Sequence, residues 1–143
     1  MIDQTYILAA RRSPGGAFLG SLSGARAVDL GAMVVKELLA GTKIQSEQVD
    51  EVIMGNVVSS GLGQAPARQV ALKSGIPPQV AALTINKVCG SGLKAVMLAA
   101  AAVQLGDADL VVAGGMESMS QAPHLLQGAR RGWKFGAQAV VDA

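Results

Sequence analysis

Apolar positions along the chain alternate between strand-like and helix-like spacing. Four short runs rich in β-forming residues predict strands, at residues 5–10, 51–58, 82–88 and 109–113. Three longer segments with apolar residues at helical spacing predict helices, at residues 27–40, 66–74 and 91–105. Gly41, Gly75 and Gly106 follow these helices and would end them. Strands that alternate with helices are typical of parallel βαβ units, so we predict an α/β layered fold.

The regular alternation stops near residue 120, where the charge balance also changes. Residues 1–120 carry nine basic and nine acidic side chains, so the net charge of +2 lies in residues 121–143. We predict that residues 1–120 form the first part of an α/β domain and that residues 121–143 begin a separate, truncated segment. The final residues, 133–143, show no closing element. This pattern is typical of a fragment of a larger fold.

Composition excludes several classes of protein. A hydrophobic share of 50% excludes disorder as the main state. An aromatic share of 3% and the lack of a basic stripe argue against nucleic-acid binding. The longest unbroken apolar run, residues 95–103, is shorter than the roughly 20 residues that span a bilayer. Residues 1–12 lack the pattern of a signal peptide. We expect a soluble, cytoplasmic protein with no membrane partner.

The helix predicted at 91–105 is unusual because it is apolar nearly all round. Over residues 93–105, Lys94 and Gln104 are its only polar side chains. Such a helix is buried on most faces. Its alanines add little bulk, so neighbouring elements must approach closely. We expect it at the centre of a larger body or at the interface between two halves.

Cys89, the only cysteine, lies between a predicted strand and the start of this helix. One cysteine excludes a disulfide framework and a Cys-rich zinc site. The free N–H groups and the dipole at a helix N-terminus favour a thiolate and can hold a developing oxyanion. Gly90 and Gly92 permit a sharp turn that leaves the sulfur uncovered. The arrangement resembles a nucleophile elbow with Cys in place of Ser. The alternative is a small buried hydrophobe without chemistry.

A dinucleotide-binding motif is a competing interpretation of the same turn. Residues 90–95 match G-x-G-x-x-A between a strand and a helix. The acid that binds the ribose should then lie at the end of the next strand. Asp107 and Asp109 precede that strand, and its end is Gly114-Gly115. This module is therefore disfavoured.

Four segments together resemble the thiolase family, the acetyl-CoA C-acyltransferases and acetyl-CoA acetyltransferases. They are RRSPGGAFLGSLS, GNVVSSGLGQAPARQVALKSGIP, NKVCGSGLKAV and GDADLVVAGGMESMSQAPHLL. The similarity covers essentially the whole chain in order, and the combination is highly specific.

The resemblance implies a fold, a reaction and partners. The fold would be the first part of the thiolase N-terminal domain, with a mixed five-stranded sheet, a central buried helix and, from about Ser120, the start of an inserted loop domain. Cys89 would be acylated, and its backbone N–H would contribute to an oxyanion hole. A 3-ketoacyl-CoA and CoA would exchange with an acyl-CoA and acetyl-CoA, reactions of fatty acid metabolism. Coenzyme A would be a substrate, with no metal or prosthetic group, and the complete protein would be a homodimer or homotetramer.

The sequence also departs from the family. Members are more than twice as long, and their second half supplies a His, an Asn and a second Cys for catalysis. His124, the only histidine, matches the start of the inserted domain and not the catalytic His motif. We expect weak or no turnover from the isolated chain, the alternative being an inactive packing or oligomerisation unit. Five further residues in matching or charged segments receive no assigned role from the sequence: Arg68, Asn86, Glu117, Arg130 and Arg131.

Overall fold

The computed structural model describes residues 4–143. Its three α-helices are Ala27–Ala40 (α1), Pro66–Lys73 (α2) and Ser91–Leu105 (α3). Its five strands are Glu51–Gly55 (β1), Ala81–Ile85 (β2), Val111–Gly115 (β3), His124–Leu126 (β4) and Val140–Asp142 (β5). The predicted helices are confirmed. Gly75 and Gly106 have φ of +89° and +76°, a backbone conformation that glycine adopts without strain and that ends a helix.

The main sheet has the strand order β2-β1-β3, and both pairings are parallel. Gly55 at the end of β1 pairs with Ile85 of β2 and with Gly115 of β3. The carboxyl ends of all three strands therefore meet at one edge of the sheet. This is the edge at which open α/β sheets usually bind ligands.

Alternating residues of β1 face two different layers. Val52 and Met54 belong to the larger core, which the helices α1 and α2 cover. Ile53 packs on the opposite face, against Ala95 and Ala99 of α3. The result is a three-layer α/β/α arrangement, which confirms the predicted fold class. The five-stranded mixed sheet that the family resemblance implies is represented here by three parallel strands.

One predicted strand, residues 5–10, is wrong. This segment pairs with no strand in the described part of the chain, and Tyr6, Ile7 and Leu8 are exposed. Thr5 Oγ1 donates a hydrogen bond to the carbonyl oxygen of Ala100, at 3.3 Å, so the segment begins beside α3. A β-rich run becomes a strand only where a neighbouring strand offers a free edge, which the local sequence does not reveal.

The other strands end elsewhere than predicted. β1 stops at Gly55. The N–H of Asn56 still donates to the carbonyl oxygen of Ile85 in β2, but the N–H groups of Val57 and Val58 donate to the Glu117 side chain instead of a strand. β2 stops at Ile85, because the chain then turns through a left-handed residue at Val88. β3 runs from Val111 to Gly115, two residues later than predicted.

The described residues cover only one side of the helix α3. Ser91, Ala95 and Ala99 are buried, whereas Leu93, Met97 and Leu105 are exposed. The prediction of a helix buried on most faces is therefore not met within residues 4–143. The stretch Val88–Leu105 has a mean hydropathy of 1.6 and could cross a membrane by length and composition alone. Its packing on β1 and β3 instead makes α3 a helix of the folded domain.

The C-terminal segment contains a small antiparallel sheet. β4 and β5 pair with His124 opposite Asp142. β5 lies within residues 133–143, a stretch for which no element is predicted. Ser118 Oγ donates to the carbonyl oxygen of Ala25 at 2.7 Å, which ties the start of this region to the loop before α1.

Candidate nucleophile site

A cavity of about 510 Å³ lies at the carboxyl edge of the main sheet. Three chain segments that follow the three parallel strands line it, at residues 55–58, 88–92 and 115–119. Cys89 is exposed and lies in this lining. The alternative of a small buried hydrophobe therefore does not hold for Cys89 in the described part of the chain.

The N-terminus of α3 rests directly on the ends of β1 and β3. A Cβ added at Gly55 would lie 2.5 Å from the carbonyl carbon of Ser91 and 2.6 Å from the nitrogen of Gly92. A Cβ at Gly115 would lie 3.0 Å from the Cα of Gly92. These separations leave no room for a side chain, so glycine in the sheet permits the close approach that puts the helix start beside the cavity.

Val88, the residue before Cys89, has a φ of +48°. A β-branched residue rarely adopts this conformation, which costs on the order of 1–3 kcal/mol. Ser91 stabilises the turn from the helix side. Its hydroxyl donates to the carbonyl oxygen of Val88 at 2.6 Å and accepts the N–H of Lys87 at 2.8 Å. Ser91 is only 4% exposed, so both bonds are shielded from water.

The helix that starts here has no side-chain cap. Gly90 is the N-cap residue, and no side chain accepts from the first helical N–H groups. Such groups carry the positive end of the helix dipole. The turn therefore brings together an exposed thiol, a helix N-terminus and a cavity, which is a geometry suited to nucleophilic attack and to holding an anion.

A polar cluster forms the wall of the cavity that comes from β1 and β3. The Glu117 carboxylate accepts three hydrogen bonds, from Asn56 Nδ2 at 3.0 Å, the Val57 N–H at 2.8 Å and the Val58 N–H at 3.2 Å. Asn56 Nδ2 also donates to the carbonyl oxygen of Met116 at 3.2 Å. Asn56 is 2% exposed, and its Oδ1 has no hydrogen-bond partner among the described residues. A buried acceptor that is left without a partner costs about 1–3 kcal/mol.

Sequence reasoning missed Asn56 and left Glu117 and Asn86 without a role. The available signal was that Asn56 and Glu117 each follow a strand end of a parallel sheet, since such residues meet at one edge. Asn86 follows the end of β2, the remaining strand of the parallel sheet. Nothing in local spacing shows which of these side chains touch.

The remaining candidates lie away from the cavity. Arg68 Nη1 donates to the carbonyl oxygen of Val80 at 2.6 Å and supports the turn before β2. His124 is exposed on β4. Arg130 and Arg131 are exposed in a short 3-10 turn. None of the four belongs to the cavity lining.

The two aspartates of the dinucleotide interpretation lie at the other end of the sheet. The N–H groups of Asp109 and Leu110 donate to the carboxylate of Asp50, which directly precedes β1. Asp107 and Asp109 are thus at the amino edge, opposite the turn at Gly90, which further disfavours that module. Among residues 4–143, no three His, Cys, Asp or Glu side chains are grouped to share a metal ion.

Comparison with known proteins shows what the chain is similar to. A family model described as the N-terminal domain of thiolase matches residues 5–143. An acetyl-CoA acetyltransferase of Cupriavidus necator is 56% identical over 141 residues, which are 99% of this chain and 36% of the relative. A cytosolic acetyl-CoA acetyltransferase of Gibberella zeae is 53% identical over the same shares of the two chains.

A solved structure of a thiolase has a similar fold. The crystal structure of the Acat5 thiolase from Ascaris suum, in complex with coenzyme A, superimposes with a TM-score of 0.84 at 42% identity. The superposition covers 89% of this chain and 33% of that one. The chain thus spans about a third of the length of the proteins that it matches.

Proposed function

This chain belongs to the thiolase family, and on that premise we propose that it carries the nucleophile of an acyltransferase that acts on coenzyme A thioesters. The observation that carries the proposal is the position of Cys89, whose exposed thiol lines the cavity at the start of α3. The relatives are acetyl-CoA acetyltransferases, so acyl-CoA is the proposed substrate class.

In the first step the Cys89 thiolate attacks a carbonyl carbon of the substrate, and a new C–S bond forms. The negative charge moves to the carbonyl oxygen, where backbone N–H groups at the start of α3, including that of Cys89, would stabilise it. When the oxyanion collapses, the carbonyl re-forms and the leaving group departs with the electron pair of the bond that breaks. The product is an acyl thioester on Cys89. Sulfur is both a strong nucleophile and a good leaving group, so this step is reversible.

The leaving group decides the direction of the overall reaction. From an acyl-CoA, the CoA thiolate leaves, and the acyl group then passes to the carbanion of acetyl-CoA in a Claisen condensation. From a 3-ketoacyl-CoA, the carbon–carbon bond breaks, the acetyl-CoA carbanion leaves and is protonated, and CoA then removes the acyl group from Cys89. Both directions need an acid or base for the carbanion.

We propose that the acid and base come from outside residues 4–143. Cys89 is the only cysteine of the chain, and His124, the only histidine, is exposed on β4 outside the cavity lining. The chain also spans only 36% of its relatives. The chain alone should therefore form the acyl-enzyme without completing turnover, and the full protein would be a homodimer or homotetramer. A cytoplasmic location is supported by the cytosolic relative.

A second candidate function is that of a packing or oligomerisation unit without catalysis. The exposed apolar side of α3, with Leu93, Met97 and Leu105, favours it. An exposed apolar patch of this kind marks an interaction surface.

Intact mass spectrometry after incubation with acetyl-CoA tests the main proposal. We expect the chain to gain the mass of one acetyl group and a peptide map to place it on Cys89. The variant Cys89→Ala should gain none, which controls for acetylation of lysines. If the unchanged chain gains no acetyl group while Cys89 still reacts with iodoacetamide, the proposed function is wrong and the packing unit is favoured.

A further inference from the structure

The turn that carries Cys89 is supported from the sheet side as well as from α3. Asn86 Oδ1 accepts the N–H of Val88 at 2.9 Å. Val88 is the strained residue, with a φ of +48°. Ser91 binds the carbonyl oxygen of the same residue. Both polar groups of the Val88 backbone are therefore held by side chains, one from each flank of the turn.

Asn86 is itself held by the neighbouring loop. Its Nδ2 donates to the carbonyl oxygen of Val57 at 3.3 Å. Asn86 is exposed, so an unsupported side chain there would move between rotamers. The bond to Val57 orients the amide such that its oxygen faces the Val88 N–H.

The peptide group between Val57 and Val58 is fixed in turn by Glu117. The carboxylate accepts the N–H groups of Val57 and Val58, at 2.8 and 3.2 Å, and so pins the loop that follows β1 to the end of β3. The half-buried Glu117 also accepts from Asn56, which is itself 2% exposed. Three charge-assisted hydrogen bonds fix the position of the Glu117 carboxylate, whereas an exposed polar side chain without such bonds moves between rotamers.

These bonds form one continuous path across the ends of the three strands. It runs from Glu117 through the peptide group between Val57 and Val58 to Asn86 and on to the Val88 N–H, next to Cys89. We infer that Glu117 and Asn86 are positioning residues that hold the strained turn and thereby present the Cys89 thiol at the helix N-terminus. The inference deepens the proposed function, since it concerns the same cysteine, but it makes its own prediction about thiol reactivity.

Without the path, the strain at Val88 would be released. The residue would return to negative φ, and the sulfur would move away from the N-terminus of α3. A displacement of about 1 Å can cost on the order of a hundredfold in rate when a reacting group depends on its position. For a small reagent that reaches an exposed thiol, we expect a smaller loss, of roughly tenfold.

The test measures the rate at which iodoacetamide alkylates Cys89 in the folded chain at neutral pH. The variants Glu117→Ala and Asn86→Ala should each react about tenfold more slowly than the unchanged chain. Glu117→Gln should restore most of the rate, because its amide oxygen can still accept from Val57 and Val58. Glu37→Gln and Gln104→Ala, at exposed helical positions, are the matched controls and should react normally. Denatured samples should all react alike.

A double variant and a spectroscopic signal separate positioning from a general loss of stability. Glu117→Ala with Asn86→Ala should react no more slowly than either single variant, because both break one path. The amide NMR signals of Val88 and Cys89 should shift in each variant at temperatures far below unfolding.

Unchanged rates and signals in the folded single variants would overturn the inference, as would independent effects that multiply in the double variant. The proposed function is tested separately by acetyl transfer. If the unchanged chain takes no acetyl group but the alkylation rates follow the pattern above, only the proposed function fails.

Discussion

The hydroxyl of Ser91 donates to the carbonyl oxygen of Val88 at 2.6 Å, across Cys89 and Gly90. This bond closes the turn that joins β2 to α3. Because Ser91 is 4% exposed, water cannot replace its hydroxyl. A residue of the helix thus stabilises the strained residue that precedes the thiol.

Replacement of Ser91 by alanine should destabilise the chain and slow the reaction of Cys89. The variant leaves the Lys87 N–H without its partner and leaves the Val88 carbonyl with only the backbone N–H of Ser91, at 3.1 Å, which costs about 1–3 kcal/mol. Urea denaturation measures the loss, and iodoacetamide measures the reactivity. Ser60→Ala, in an exposed loop, is the control and should change neither. Equal stability of the two variants would contradict this role for Ser91.

Replacement of Gly55 by alanine should displace the start of α3. The new Cβ would lie 2.5 Å from the backbone carbonyl carbon of Ser91. The backbone cannot move away as the end of a flexible side chain could. We expect a loss of about 1–3 kcal/mol in the free energy of unfolding. Gly24→Ala is the matched control, because a Cβ there meets nothing within 4 Å. A folded Gly55→Ala chain of unchanged stability would show that the helix start is not tightly packed on β1.

Replacement of Asn56 by aspartate should be strongly destabilising at neutral pH. Asn56 Nδ2 is a donor to the Glu117 carboxylate, and the variant places a second carboxylate there at a site that is 2% exposed. Leaving buried charge without its partner costs about 3–5 kcal/mol. Thermal denaturation measures the effect. Gln104→Glu makes the same chemical change on the exposed part of α3 and should alter the melting temperature little.

The exposed side of α3 should make the isolated chain self-associate. Met97 is 53% exposed in a region that also exposes Leu93 and Leu105. Large apolar side chains exposed on one helix favour association. Sedimentation velocity should show larger species at higher concentration, and Met97→Gln should reduce them. Met33→Gln is the matched control, since Met33 is 47% exposed on α1. Equal effects of both substitutions would exclude a specific role for the α3 side.

Much of the local structure could be predicted because it depends on neighbours in the chain. The bounds of α1 and α3 agree with the apolar spacing and with the glycines that follow them. The turn around Cys89 could be placed because Gly90 and Gly92 lie between a β-rich run and a helical one. Parallel strands followed from the alternation of elements.

The strand ends and the path to Cys89 could not be predicted, because they depend on contacts between distant parts of the chain. Residues 5–10 have the composition of a strand but no partner among the described residues. Glu117 accepts the N–H of Val57, which is 60 positions away in the sequence. Asn86 donates to the carbonyl oxygen of Val57, which is 29 positions away. The spacing of apolar residues does not predict contacts between residues so far apart in the sequence.

The sequence by itself determined the helices, the α/β layering, the family and the cysteine at the start of α3. Backbone propensity, the spacing of apolar residues and short motifs are local properties, because they depend only on residues that are close together in the sequence. Only the tertiary structure decided that Cys89 is exposed over a cavity, that Val88 is strained, and that Glu117 and Asn86 meet at Val57. These features arise where three strands end at one edge, and the parallel register of the sheet brings those ends together.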